Sequence, residues 1–180
     1  MGRILLFNKP VGVICQFSRD DRHPTLADYI VLPDYYPAGR LDTDSEGLLV
    51  LTNDGQLQHR ITDPKHKLPK TYWVQVEGVP DQIALKKLRL GVKLFDITSQ
   101  AAEVRLMEEP VDLWPRNPPI RARKNIPTSW LELTIREGKN RQVRRMTAAV
   151  GLPTLRLIRY RIGKWSLDGL ESGKWRFEEP

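Results

Sequence analysis

The chain has a single cysteine, Cys15, so no disulfide can form within it, and the apolar run "VGVIC" around that residue reads as a buried, inert thiol. Its three histidines, His23, His59 and His66, have no ligand spacing, and no glycine-rich nucleotide loop is present. No stretch approaches the ~18 consecutive apolar residues of a membrane span. The amino end "MGRILLFNKP" lacks the layout of a signal peptide. No repeat is detectable, which argues against a solenoid. These absences describe a soluble, cytoplasmic protein without metal, cofactor or membrane, and 180 residues suffice for a core without staples.

What the chain does have is positive charge. Lys and Arg total 29 against 22 Asp and Glu, a net +7. From Leu113 to Arg145 there are nine basic residues against two acids, so this window carries the entire surplus. A clustered field of this kind suits a polyanion, because every phosphate neutralised releases counterions. Tryptophans and prolines lie among the charges, as a stacking surface for bases requires.

Short runs rich in Val, Ile, Leu and aromatics alternate with helical spacing, which predicts an α+β fold. Strands are expected at "ILLFNK", "GVICQF", "GLLVLTN", "KTYWVQVEG", "AAEVRLME", "SWLELTIRE", "TLRLIRYRIG" and "GKWRF". Helices are expected at "GQLQHRIT", at "PDQIALKKLRLG" through Ile83, Leu85, Leu88 and Leu90, and at "NRQVRRMTAAVG", with a shorter one at "TLADYI". The stretch "EEPVDLWPRNPPIRARKNIPTSW" holds five prolines and four basic residues and reads as a long exposed loop. With Trp114 and Trp130 flanking its arginines, it is a candidate contact for nucleic acid.

Two constellations could carry chemistry. In "AGRLDTDSEGLLVLTNDG" the acids Asp42, Asp44 and Glu46 crowd the entrance to a buried strand. A calcium loop counted from Asp42 would have Gly47 at its sixth position, as required, but Asn53 at its twelfth, where glutamate is needed. A metal-dependent nuclease built on the three acids is thus the weaker alternative, and Asp44 and Glu46 read as turn formers. A carboxylate at such a junction is costly unless a cation satisfies it. An ionised Asp42 would serve as nucleophile or base. In "REGKNRQVRRM" a strand ends at Glu137 and Gly138 and a helix is expected from Asn140, placing Arg141, Arg144 and Arg145 on its first turns, where they can share much of one face. Arginine at a helix start opposes the macrodipole, so an anionic partner accounts for the cluster better than propensity does.

Together "GRLDTDSEGLLVLTNDG", "KTYWVQVEG", "EGKNRQVRRM" and "LRLIRYRIG", preceded by "LFNKPVGVICQF", resemble the RsuA-type ribosomal RNA pseudouridine synthases over essentially the whole chain. The "WPRNPPIRARKNIPTSW" loop is similar to that of the large-subunit ribosomal RNA pseudouridine synthase E branch. The resemblance implies a pseudouridine synthase fold over residues 1–180, a mostly antiparallel central sheet with flanking helices and two subdomains meeting at a central active-site cleft. It implies no amino-terminal accessory RNA-binding domain, since the catalytic part begins within the first ten residues. It implies isomerisation of a uridine in large-subunit ribosomal RNA by a monomer without cofactor. Asp42 would be the catalytic aspartate, Tyr72 the active-site tyrosine near the base, and Arg144 the cation paired with Asp42. Arg40 would support the flipped nucleotide and Leu157 would line the pocket, with Lys139, Arg141, Arg121 and Arg123 contacting substrate. Many relatives have histidine where Arg141 stands. As a core aromatic on its strand, Trp73 fits better than Tyr72. An RNA-binding module that had lost catalysis would lack the aspartate, the tyrosine or the arginine, and all three are present.

Overall fold

The longest apolar runs become strands buried on both faces. In the computed structural model, which describes residues 2–66 and 68–180, β1 (Ile4–Lys9) and β3 (Glu46–Thr52) are buried at every position. They pair antiparallel from Ile4 opposite Thr52 to Lys9 opposite Gly47. The short β2 (Tyr36–Pro37) adds to β3. The chain forms two units, Met1–Leu68 with Arg159–Pro180, and Pro69–Ile158. The first has the strand order β7–β3–β1–β9, where β7 is Thr154–Ile162 and β9 is Trp175–Glu178, and β8 (Trp165–Ser166) returns against β7. Its core gathers Leu5, Phe7, Leu26, Leu41, Leu49 and Leu51. Helix α1 (Gly55–Thr62) is capped by Asp54, whose side chain accepts from the amides of Gln56 and Leu57.

The second unit is built on alternation. Along β4 (Lys70–Glu77), Tyr72, Val74 and Val76 are buried while Thr71, Trp73 and Gln75 are partly exposed, the period-two signature of a strand with one covered face. It pairs antiparallel with β6 (Thr128–Ile135), Lys70 opposite Ile135 through Glu77 opposite Thr128, and β5 (Glu103–Met107) pairs with the other side of β6. The order is β5–β6–β4, followed by the first half of β7. Helices α2 (Gln82–Leu90) and α3 (Gln142–Ala149) cover the apolar side, which includes Leu85, Leu88, Val143 and Met146.

Several expectations change. "GVICQF" forms no strand. After the turn at Gly12 (φ +87°), the amide of Ile14 goes to the carbonyl of Pro24, while the carbonyl of Gln16 accepts from Leu26, leaving a single bridge rather than a ladder. "TLADYI" shortens to a 3-10 turn at Leu26–Asp28, closed by Thr25 and Asp28. In α2 the buried set is Ala84, Leu85 and Leu88, while Ile83 and Leu90 face solvent, because a single face of nine residues covers a narrower stripe than the apolar count suggested. Residues 108–127 contain no regular element, as the prolines required. Cys15 is buried and free.

Candidate active site

In the first unit Asp42 lies on the loop from β2 into β3. Gly39 (φ +93°) makes the bend, Arg40 is exposed, Leu41 is buried in the core, and Asp42 comes out half-buried. Its carbonyl accepts from the amide of Ser45 at 3.0 Å, closing a turn around Asp42 and Asp44. The acids differ in setting: Asp44 is exposed and Glu46 is buried at the start of β3. Among the described residues no group of three or more His, Cys, Asp or Glu side chains is disposed to hold a metal ion.

Two buried cations, neither singled out from the sequence, hold this loop. Lys9, fully buried at the end of β1, donates to the carbonyls of Val13 (2.8 Å), Pro10 (2.9 Å) and Thr43 (3.4 Å). Burial lowers its ammonium from 10.5 to about 8, while Cys15, Glu46, Asp44 and Asp42 favour the charged form. Arg159, 5% exposed on β7, donates from Nε to the carbonyl of Leu48 (2.9 Å) and from Nη1 to that of Arg40 (3.4 Å). The two carbonyls lie on either side of Asp42 in sequence, so one guanidinium ties together both ends of its loop. The approach requires glycine at Gly47 (φ +110°), where a Cβ would lie 2.4 Å from the Arg159 carbonyl oxygen. A charge at the end of an apolar strand and an arginine inside the alternation "RLIRYRI" were the available signals, but their carbonyl partners are distant in sequence.

The second unit holds the other expected residues. Tyr72 and Leu157 are buried at 8% and 6% exposure and share one cluster with Val143 and Met146 of α3. Tyr72, not Trp73, is therefore the core-facing aromatic of β4, because the alternation puts it in phase with Val74 and Val76. Helix α3 starts at Gln142 rather than Asn140. Arg141 is its cap, in left-handed conformation (φ 53°, ψ 32°) and exposed, whereas Arg144 and Arg145 are helical and half-buried. The three arginines therefore do not share one helical face, and Arg145 turns to an ion pair with Asp96. The loop before α3 is fixed by buried Gln142, which donates to Glu137 (2.7 Å) and accepts from the Lys139 amide (3.1 Å), leaving the Lys139 side chain exposed. Arg121 and Arg123 lie on the exposed 108–127 segment, and Arg123 Nε is 3.0 Å from a Glu77 carboxylate oxygen.

The two tryptophans that flank the basic segment differ in setting. Trp130 is 6% exposed within β6, and the half-buried Trp114 ring lies under the guanidinium of Arg156, 5.7 Å from its centroid. Arg156 also donates to the Trp114 carbonyl (2.9 Å), so this pair anchors the basic segment.

The chain belongs to the RNA pseudouridylate synthase family, whose model matches residues 3–149. Within that family it falls in the ribosomal large subunit pseudouridine synthase E branch: it is 61% identical over 169 residues to the protein of that name from Xanthomonas axonopodis pv. citri (strain 306), covering 93% of this chain and 89% of the relative. The one from Vibrio parahaemolyticus serotype O3:K6 is 56% identical over 97% of this chain and 73% of its own length. A solved structure described as a pseudouridylate synthase superposes with a TM-score of 0.81 at 31% identity, covering 99% of this chain and 71% of that one. The protein is thus an RNA pseudouridine synthase of α+β fold. No helix among the described residues is long and apolar enough to cross a membrane.

Proposed function

We propose that the protein converts a specific uridine of large-subunit ribosomal RNA to pseudouridine, with Asp42 as the catalytic carboxylate and no cofactor. The observation that carries this reading is the placement of Asp42, half-buried on a loop whose flanks are held by Arg159 and Lys9. The names of the relatives supply the class of RNA.

The reaction is redox-neutral. The bond from ribose C1′ to N1 of the base breaks, the base turns, and C1′ bonds to C5. The proton displaced from C5 leaves to solvent and N1 gains one. An ionised Asp42 serves either by adding covalently or by removing a ribose C2′ proton to give a glycal. Tyr72 stacks near the turned base and assists the proton movement. Arg144 is the counter-cation of the catalytic carboxylate in this reading. Leu157 gives the base an apolar wall, and Arg40 supports the flipped nucleotide and its phosphate. Lys139, Arg141, Arg121 and Arg123 hold neighbouring phosphates, which offsets the few kcal/mol of unstacking the target. In this reading residues 1–180 act as one catalytic domain of two subdomains, working as a cytoplasmic monomer.

Pseudouridine mapping of ribosomal RNA from a strain lacking the gene tests the reading. One missing site in the large-subunit RNA, restored by the gene, is expected, and an unchanged map would overturn it.

A further inference from the structure

With Trp130 buried and Trp114 half-buried against Arg156, the aromatic side chain that stands furthest into solvent lies elsewhere. Phe95 is 97% exposed, the most exposed large apolar side chain described. It stands at the tip of a small hairpin, residues 92–99, that follows α2. The stem is fixed: Lys93 bridges Thr98, the amide of Leu94 donates to the carbonyl of Ile97 (2.7 Å), and that of Ser99 donates to Val92 (2.9 Å). Val92 is buried in the core of its unit and Leu94 packs against it, so the tip is held out on an anchored support.

The ring is also backed. The Arg145 guanidinium lies 5.2 Å from its centroid and pairs with the neighbouring Asp96 carboxylate. Asp96 is neutralised by that pair, so the tip presents no bare negative charge to a polyanion. The guanidinium approaches one side of the ring without covering it, and at 97% exposure the ring stays open to a base. Solitary exposed apolar side chains are ordinary on proteins, and Val31, at 86%, is such a residue. Phe95 differs in having a fixed support, a cation behind it and the arginine helix beside it, since Arg145 follows Arg144 directly in α3.

We propose that Phe95, backed by Arg145, is a stacking platform for an unpaired nucleotide of the substrate RNA flanking the target uridine, which rests on the pseudouridine synthase reading of α3. Every base has a stackable face, so the platform adds affinity without reading sequence. A cation behind the ring strengthens the arrangement. Phosphates on either side of that nucleotide meet the positive field of Lys139 and Arg141.

The test compares binding of a short unpaired RNA of mixed sequence with binding of inorganic polyphosphate, a polyanion without bases. Phe95→Ala is expected to weaken RNA binding about tenfold and to leave polyphosphate binding unchanged, Phe95→Trp to bind RNA like the wild type, and Val31→Ala to change neither. Unchanged RNA affinity in Phe95→Ala, or an equal loss on both ligands, would overturn the platform. Pseudouridine formation by the wild-type protein is followed alongside: its absence, with the RNA-specific loss present, would remove the catalytic reading and leave the platform standing.

Discussion

Lys9 and Arg159 lie beneath the surface of the first unit, with their hydrogen bonds directed at backbone carbonyls that include those of Thr43, Arg40 and Leu48, which flank Asp42 in sequence. In the second unit Arg121, Lys139 and Arg141 stand in solvent, and Arg123 keeps most of its side chain exposed even where it meets Glu77. The same residue types therefore do different work. A buried cation bonded to carbonyls fixes geometry, because removing it leaves those acceptors unsatisfied. An exposed cation can exchange water and counterions for phosphate. The contrast has an exception in Arg156, which is buried in the second unit and braces the basic segment at Trp114.

The largest expected effect falls on Arg159. Arg159→Met removes the donors to Leu48 and Arg40, and we expect a loss of about 2–4 kcal/mol in denaturant unfolding. A loss below about 1 kcal/mol would mean that the loop is held by other contacts. Lys9 gives a pH signature of somewhat smaller size. Its ammonium is lowered from 10.5 to about 8 by burial, so between those pH values the unfolded chain keeps a proton that the folded chain has released. Its contribution to stability therefore rises with pH across that window, by up to about 3 kcal/mol, and its burial cost is fully present below pH 8. The unfolding free energy of the wild type relative to Lys9→Met should follow this rise, and a flat difference would contradict it. The exposed cations give the smallest effect. Arg121→Ala with Arg123→Ala should weaken RNA binding across sequences and lower the salt slope by about 1–2. An unaltered slope would show that the segment makes no phosphate contact.

Strand and helix positions were largely legible because period and composition are local properties. The runs at 4–9 and 46–52, the alternation at 70–77 and the helix of residues 55–62 emerge where expected. "GVICQF" failed because an apolar run shows β-propensity but not whether a ladder partner exists. The choice between Tyr72 and Trp73 failed for want of phase, since only the buried neighbours Val74 and Val76 reveal which face is inside. Lys9 and Arg159 were illegible as loop supports because their acceptors are backbone carbonyls, which no side-chain pattern reports. Tryptophan was expected to be the stacking residue on chemical grounds, yet Trp130 is buried and Trp114 half-buried against Arg156, while Phe95 carried no local signal at all.

The central claim is that Asp42 performs the chemistry while the rest of the chain holds it in place and holds the RNA. It is tested most directly by pseudouridine formation in large-subunit ribosomal RNA by Asp42→Asn, with folding and RNA affinity followed on the same protein. We expect wild-type folding and affinity with turnover reduced by at least about 10³-fold, and turnover near that of the wild type would contradict the account.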